Sequence, residues 1–241
     1  MCVSKKAWII FVVIVVGLLA ALVIASRSAN PPVDVSHVNQ NTILPATVAS
    51  GNIADNVYGN ASSKVMLVEY GDFQCPACGS AHPNIRKVTE QYKGQIAFVF
   101  RNFPLTTIHP NARAGSAAAQ AAGLQGKYWE MNNYLYEHQN GWVGLTGSAV
   151  TSAFVGYAKS LGLDTAKFTA DLALSSINQK ISFDQALANK LSINSTPTFY
   201  LNGVQVASDV ITDVQQSNGD KLRTLINADL KTAGIALPTS N

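Results

Sequence analysis

Two cysteines that are two residues apart, in the segment FQCPACGSAHP over residues 73–83, restrict the possible structures of this chain more than any other feature. The apolar run KVMLVEYGDF, which begins at Lys64, precedes them and is typical of a buried strand. Pro76 directly follows the first cysteine, and proline is favoured at the first position of a helix. The sequence therefore predicts a strand, a short turn and a helix that begins at about Cys75.

The placement of the pair at a helix start predicts two thiols of unequal acidity. Free N–H groups and the helix dipole favour a thiolate at Cys75, whereas Cys78 lies one turn further in and is close enough to form a disulfide with it. Such a pair can exchange electrons with other disulfides. Two alternatives stay open: a metal site completed by His82 or His109, and a structural disulfide, although so short a loop adds little stability.

Glu69 is a candidate proton carrier for this pair. It lies on the predicted strand, on the same side as Val65 and Leu67. If that side faces the core, Glu69 is a buried carboxylate beneath the disulfide, and burial raises the pKa of a carboxyl group towards neutrality. It could then exchange a proton with Cys78. An exposed surface acid is the alternative, because most glutamates are exposed.

The segment STPTF contains a second candidate, the Thr196–Pro197 bond. A trans proline is awkward directly before a β-rich run, so a cis bond is plausible there. A turn of this kind could face the disulfide and offer backbone groups to an extended peptide. A simple strand-entry proline is the alternative.

The N-terminus carries a 19-residue run without charge, over residues 7–25. A helix needs about 20 such residues to cross a bilayer. Lys5 and Lys6 precede the run, which predicts a cytoplasmic N-terminus and an extracytoplasmic remainder. We predict one uncleaved transmembrane signal anchor within residues 1–27, with a cleaved signal peptide as the alternative. Cys2 would then lie on the cytoplasmic side, apart from the other two cysteines.

The sequence of the rest of the chain predicts one α/β domain. Residues 28–56, rich in Asn, Pro, Ser, Thr and Val, predict a linker. A helical block follows the second apolar strand, and Asn202-Gly203 between two β-rich runs predicts a hairpin. The last helix has an apolar face formed by Leu222, Leu225, Ile226 and Leu230. A net charge of +3 without a basic cluster gives no indication of nucleic-acid binding.

Three segments in this order resemble the DsbA-like thiol:disulfide oxidoreductases of the thioredoxin superfamily: VYGNASSKVMLVEYGDFQCPACGSAHP, FVFRNFPLTTIHPNA and STPTFYLNG. The resemblance runs from about Val57 to Ala233. It implies a thioredoxin fold over residues 57–235, with a helical insertion at about 106–191. Residues 236–241 would form a tail.

The resemblance also implies roles for individual residues. Cys75 would be the reactive cysteine, Cys78 the resolving one and Glu69 the buried acid. The residues that would contact substrate are Pro76, Ala77, Thr196 and Pro197, with a cis bond before the last. Two positions depart from the family pattern: Ala77 stands where the best-known members have histidine, and Ser195 where many have glycine.

The implied activity is oxidation of cysteine pairs in reduced exported proteins, on the periplasmic or cell-surface side of the cell membrane. A membrane quinone-linked thiol oxidase, DsbB-like or VKOR-like, would reoxidise the pair, with no metal and no organic cofactor in the domain. Reduction or isomerisation of disulfides on the same fold is the nearest alternative. An anchored metal-binding or interaction module is the alternative from another class.

Overall fold

The computed structural model describes residues 5–29 and 33–238, and the chain divides into two compact units at Val33. The first unit contains one helix, α1 (Lys5–Ala29). Among the described residues, no helix combines the length and the apolar character needed to cross a membrane. The predicted span over residues 7–25 is therefore not confirmed. Cys2 lies outside the described residues.

The second unit contains a five-stranded mixed sheet in the order β1-β3-β2-β4-β5. The central strands β2 and β3 run parallel, and every other neighbouring pair is antiparallel. All residues of β2 and β3 are buried, as the two apolar runs predict. The strands are β1 (Val57–Gly59), β2 (Met66–Gly71), β3 (Ala97–Asn102), β4 (Thr198–Leu201) and β5 (Val204–Gln205).

Helices cover this sheet and form a separate block. The crossover helix α2 (Pro76–Gln91) joins β2 to β3, and two helices follow the sheet, α8 (Ser208–Gln216) and α9 (Asp220–Thr232). Five helices lie between β3 and β4 in sequence, which confirms the predicted helical insertion: α3 (Ala112–Gly123), α4 (Tyr128–Glu137), α5 (Ser148–Ser160), α6 (Thr165–Asp171) and α7 (Ser175–Lys190). Short 3-10 helices occur at Val48–Ser50 and Gln139–Gly141.

The hydrophobic side chains form two clusters. One lies between the sheet and helices α2, α8 and α9, and includes Leu67, Ile85 and Ile226. The other fills the helical insertion around Trp142 and also contains Phe73, Cys75, Cys78 and Phe100. The cysteine pair thus lies where the insertion meets the sheet. Of the four residues predicted to face the core from α9, Leu222, Ile226 and Leu230 are buried, and Leu225 is 37% exposed.

The hairpin between β4 and β5 forms as predicted. Asn202 and Gly203 both have positive φ angles, 47° and 81°, as a two-residue type I′ turn requires. Asn202 also accepts a hydrogen bond from the Met66 N–H at 2.8 Å, which ties the turn to the start of β2.

Residues 34–56, which form most of the predicted linker over residues 28–56, belong to the second compact unit. The cause is Arg101, a fully buried side chain on β3 that needs acceptors. Its guanidinium donates to the carbonyl oxygens of Gln40 (2.6 Å) and Thr42 (2.9 Å) and to Asp55 (2.8 Å). Backbone carbonyl oxygens and one carboxylate of this segment thus satisfy a buried cation of the sheet.

Candidate redox site

Cys75 is the N-cap residue of α2. Its backbone is extended, with φ −68° and ψ 123°, and its carbonyl oxygen accepts the first helical hydrogen bond, from the Gly79 N–H at 3.1 Å. Pro76 occupies the first helical turn, where its missing N–H costs nothing. Only 7% of Cys75 is exposed. Its sulfur is therefore held at the positive end of the helix dipole and largely shielded from water.

The two thiols differ in acidity. A hydrogen bond from the Cys78 thiol lowers the pKa of Cys75 to about 5, although burial acts in the opposite direction. Further hydrogen bonds, from the Thr196 side chain and from N–H groups of the first helical turn, also lower it. Burial raises the pKa of Cys78 well above its ordinary value, and the neighbouring Cys75 and Glu69 add to this rise. The pair thus combines one acidic thiol with one that resists ionisation.

Glu69 lies on β2 and is buried. Burial, followed by the negative charge of Cys75, raises the pKa of the Glu69 carboxyl group to about 8. At neutral pH the carboxyl group is therefore mainly protonated and close to its titration point. A group in this state can both give and take a proton, which is what a general acid–base residue needs.

The bond between Thr196 and Pro197 is cis, as predicted. The Cys75 thiol lies 3.4 Å from the Thr196 carbonyl oxygen and donates a hydrogen bond to it. Thr196 and Pro197 are buried, Ala77 is half-buried and Pro76 is exposed. The structure thus brings the Thr196 backbone to the sulfur and leaves the start of α2 accessible.

Asp72 was not among the predicted site residues, yet it organises the loop that leads to Cys75. One carboxylate oxygen accepts from the Gln74 N–H at 2.8 Å, and the other accepts from the Leu105 N–H at 2.9 Å. The second oxygen also lies 2.7 Å from Nδ1 of His109. His109 is therefore engaged with this carboxylate. Within residues 5–29 and 33–238, no group of three or more His, Cys, Asp or Glu side chains is arranged to hold a metal ion.

Gln139, from the helical insertion, was also missed. Its Nε2 donates to the carbonyl oxygens of Phe73 and Cys75, both at 2.9 Å. Its Oε1 lies so close to Gly79 that a Cβ atom there would come within 2.4 Å. The insertion thus holds the backbone of the reactive cysteine directly. A lone glutamine 64 residues downstream gives no local signal of this contact.

The sequence of the chain matches the thioredoxin family over residues 51–227. The chain belongs to the thioredoxin family. Solved structures agree: this thioredoxin-family protein is similar to a thioredoxin-like oxidoreductase from Silicibacter pomeroyi DSS-3, at 25% identity and a TM-score of 0.59, over 76% of this chain and 96% of that chain. It is also similar to the thiol-disulfide exchange protein alpha-DsbA2 from Wolbachia pipientis, at 18% identity and a TM-score of 0.60, over 72% and 86% of the two chains.

These likenesses confirm the resemblance at the level of the fold. This thioredoxin-family protein has the fold of DsbA-like thiol:disulfide oxidoreductases, with a helical insertion in a thioredoxin fold. A curated relative carries another name: the Na(+)/H(+) antiporter NhaA 1 of Salinispora arenicola (strain CNS-205), 36% identical over 200 residues. The alignment covers 83% of this chain but only 28% of that protein, so its name says nothing about the activity of this chain.

Proposed function

We propose that this protein oxidises cysteine pairs of exported proteins through a Cys75–Cys78 disulfide. The observation that carries the proposal is the position of Cys75 at the N-cap of α2, where it accepts a hydrogen bond from the buried Cys78 thiol. This arrangement lowers the pKa of Cys75 to about 5, and burial makes Cys78 resist ionisation. A disulfide exchanges by attack of a thiolate, and the more acidic thiol leaves more readily. Cys75 is therefore both the sulfur that substrate attacks and the good leaving group of the second step.

The proposed oxidation takes place in two thiol–disulfide exchange steps. A substrate thiolate attacks the Cys75 sulfur, the bond between the two protein sulfurs breaks, and Cys78 leaves with a proton from Glu69. A second substrate thiolate then attacks the substrate sulfur of the mixed disulfide, and Cys75 leaves as a thiolate. The substrate loses two electrons and gains a disulfide, and the protein gains them as a Cys75 thiolate and a Cys78 thiol.

Substrate would bind where the accessible start of α2 meets the Thr196–Pro197 turn. Pro76 is exposed beside the reactive sulfur, and the Thr196 carbonyl oxygen lies 3.4 Å from that sulfur. A peptide in extended form could use backbone groups of this turn. Ala77, half-buried between the two cysteines, offers no hydrogen-bonding side chain. Recognition of a substrate peptide at this position would therefore depend on backbone hydrogen bonds and on the shape of the surface.

The proposal includes a location and a partner. The uncharged run over residues 7–25 supports an anchored protein with its domain on the extracytoplasmic side of the cell membrane, where disulfides persist. A membrane quinone-linked thiol oxidase, DsbB-like or VKOR-like, would restore the disulfide after each cycle. The domain itself would need no metal and no organic cofactor.

The test is a trapping experiment in cells that express the full chain. Cys78→Ser should accumulate mixed disulfides with substrate proteins through Cys75, because the resolving thiol is missing. Cys75→Ser is the matched control and should trap far less. Equal trapping by both variants would contradict the assignment of Cys75 as the reactive cysteine.

The direction of electron flow needs its own measurement, because a reductase or isomerase on the same fold is the nearest alternative. Equilibration of the pair with glutathione gives the reduction potential. A dithiol oxidase requires a potential above that of the glutathione pool, and each 30 mV corresponds to about 1.4 kcal/mol. A potential as low as that of reducing thioredoxins would favour the reductase.

A further inference from the structure

A cavity of about 170 Å³ lies next to Glu69, on the side of the sheet covered by α2. Its walls come from the strands, from α2 and from α4 of the insertion. Four polar residues, Glu69, His82, Trp129 and Asn132, line it. Nothing in the redox step described above accounts for a cavity of this size beside a buried acid.

Three polar atoms in the walls have no hydrogen-bond partner within the described part of the chain: His82 Nε2, Trp129 Nε1 and Asn132 Nδ2. The residues His82 and Asn132 are only 8% and 3% exposed. Buried polar groups are almost always satisfied by protein or by ordered water. A polar cavity with several such groups and room for more than one water molecule meets the conditions for buried water.

The cavity reaches towards the surface along α2. A surface groove of about 380 Å³ shares His82, Arg86 and Glu90 with the cavity, and Glu137 also lines the groove. At this end the Tyr58 hydroxyl donates to Glu90, and Arg86 pairs with Glu137. His82 thus lies between the buried acid and the solvent-facing groove.

We propose that water in this cavity carries protons between solvent and Glu69, and that His82 is the positioning residue that holds this water. The inference deepens the proposed function, because it supplies the route by which Glu69 recovers the proton that it gives to Cys78. His82 acts through water and Glu69 and does not touch the reacting sulfurs.

In this relay, one proton moves from solvent through the cavity water and Glu69 to Cys78. Glu69 gives one proton to the departing Cys78 thiolate and becomes a carboxylate. The carboxylate takes one proton from the adjacent water, and the deficit passes along the water chain to solvent. No electron moves in this relay. Burial lowers the pKa of His82 to about 4, so at neutral pH its ring is uncharged and offers one donor and one acceptor nitrogen.

Other titratable groups also face this region. Cys75 raises the pKa of Glu69, and Glu69 in turn contributes to the raised pKa values of Cys78, Tyr128 and Tyr136. Tyr58, Arg86 and Glu90 line the cavity itself. Burial and the charge of Cys75 set where Glu69 titrates, whereas the relay sets how fast it does so. A test of the relay must therefore measure a rate.

The decisive measurement is the rate at which the protonated Glu69 carboxyl group exchanges its proton for deuterium, followed by infrared spectroscopy of the reduced full chain at pH 6 after mixing with D₂O. Glu69→Gln identifies the band. His82→Phe keeps a ring that can stack on Tyr136 as His82 does, at 4.8 Å, but removes both nitrogens. The exposed His138, stacked on Tyr134 at 4.0 Å, provides the matched control His138→Phe.

We expect His82→Phe to slow the exchange about tenfold, which is less than the roughly 100-fold effect of removing a general acid or base, because His82 acts through water. His138→Phe should leave the rate unchanged. The glutathione equilibrium of His82→Phe should also stay unchanged, because a relay alters rates and not the stability of either redox form. Asn132→Leu, which removes a second polar group from the cavity, should slow exchange in the same way and decides the question if His82→Phe does not fold.

Wild-type exchange rates in both cavity variants would overturn the inference, as would the lack of any carboxyl band that Glu69→Gln removes. These outcomes are separate from a failure of the proposed function. A low reduction potential or an absence of trapped substrate would remove the oxidase role, but the infrared rates would still report on the relay.

Discussion

Two sets of buried ionisable groups lie in the same domain and are built in opposite ways. In the first, Arg101 and Lys180 each lie 2.8 Å from Asp55, and Lys180 also lies 2.9 Å from Asp184. All four side chains are at most 2% exposed. We call this set the paired cluster. In the second set, Glu69 is buried beside the cysteines, and no cation contributes to its pKa.

The protonation behaviour of the two sets differs accordingly. Burial alone would raise the pKa of Asp55, but the charges of Lys180 and Arg101 outweigh it and hold this pKa below its ordinary value. For Glu69 nothing offsets burial, and its pKa rises to about 8. Asp55, Arg101 and Lys180 therefore keep their charges at neutral pH and join residues 34–56 to the domain, whereas burial raises the pKa of Asp184. The carboxyl group without a cation stays near its titration point, where it can take part in chemistry.

The largest expected effect comes from breaking the paired cluster. Asp55→Ala leaves Arg101 without its carboxylate and Lys180 with one carboxylate instead of two. Loss of one partner from a buried ion pair costs about 3–5 kcal/mol, so we expect a fall of that size in the free energy of unfolding, measured with denaturant. The control is Asp209→Ala, which removes an exposed carboxylate 2.7 Å from Lys221 and should change little. Equal, small effects of both variants would contradict the comparison.

The second prediction concerns the thiolate of Cys75, which exists only in the reduced protein. Its pKa is lowered from 9.0 to about 5, so the ionised form stabilises the folded state. This contribution is complete above pH 9, partial at pH 7 and lost as the pH falls through about 5. After allowance for solvent screening, the unfolding free energy of the reduced protein, relative to the oxidised one, should rise by about 2 kcal/mol from pH 4 to pH 7. The same difference at both pH values would show that Cys75 is not acidic.

The contrast between the two sets also explains what the sequence could predict. The redox pair, the start of α2, the Asn202-Gly203 hairpin and the side of β2 that carries Glu69 all follow from neighbours within a few residues. Local period and turn chemistry determine such features. The proline before a β-rich run also predicted the cis bond, which the resemblance to a family implied as well and which the structure contains.

The paired cluster could not be predicted in this way. Asp55 and Lys180 are 125 residues apart, and Arg101 was hidden inside an apolar strand run. Only tertiary packing shows that the three charges meet. For the same reason residues 34–56 were interpreted as a linker, and Gln139 was overlooked. Contacts between polar residues that are far apart in the chain leave no periodic pattern in the sequence, so a single sequence gives no signal for them.

The third prediction removes the buried acid that has no cation. The pKa of Glu69 is raised from 4.5 to about 8, so its ionisation opposes folding as the pH rises from 4.5 to 8. Glu69→Gln should therefore stabilise the reduced protein by up to about 4 kcal/mol at pH 8 and not at pH 4. Exchange with glutathione should slow at neutral pH, because Cys78 loses its proton donor. If Glu69→Gln instead lowers the free energy of unfolding as Asp55→Ala does, Glu69 is a charged group that stabilises the fold, like those of the paired cluster.

The smallest expected effect comes from giving the redox region a cation. Ala77 is half-buried between the cysteines, and its N–H already helps to lower the pKa of Cys75. Ala77→His would add an imidazolium that stabilises the thiolate, as cations do in the paired cluster. We expect the pKa of Cys75, measured from thiolate absorbance, to fall by up to about one unit and the reduction potential to rise by about 30 mV. Ala77→Asn is the neutral control. If both substitutions shift the pKa of Cys75 equally, hydrogen bonding and not charge determines this pKa. The comparison with the paired cluster then does not apply to Cys75.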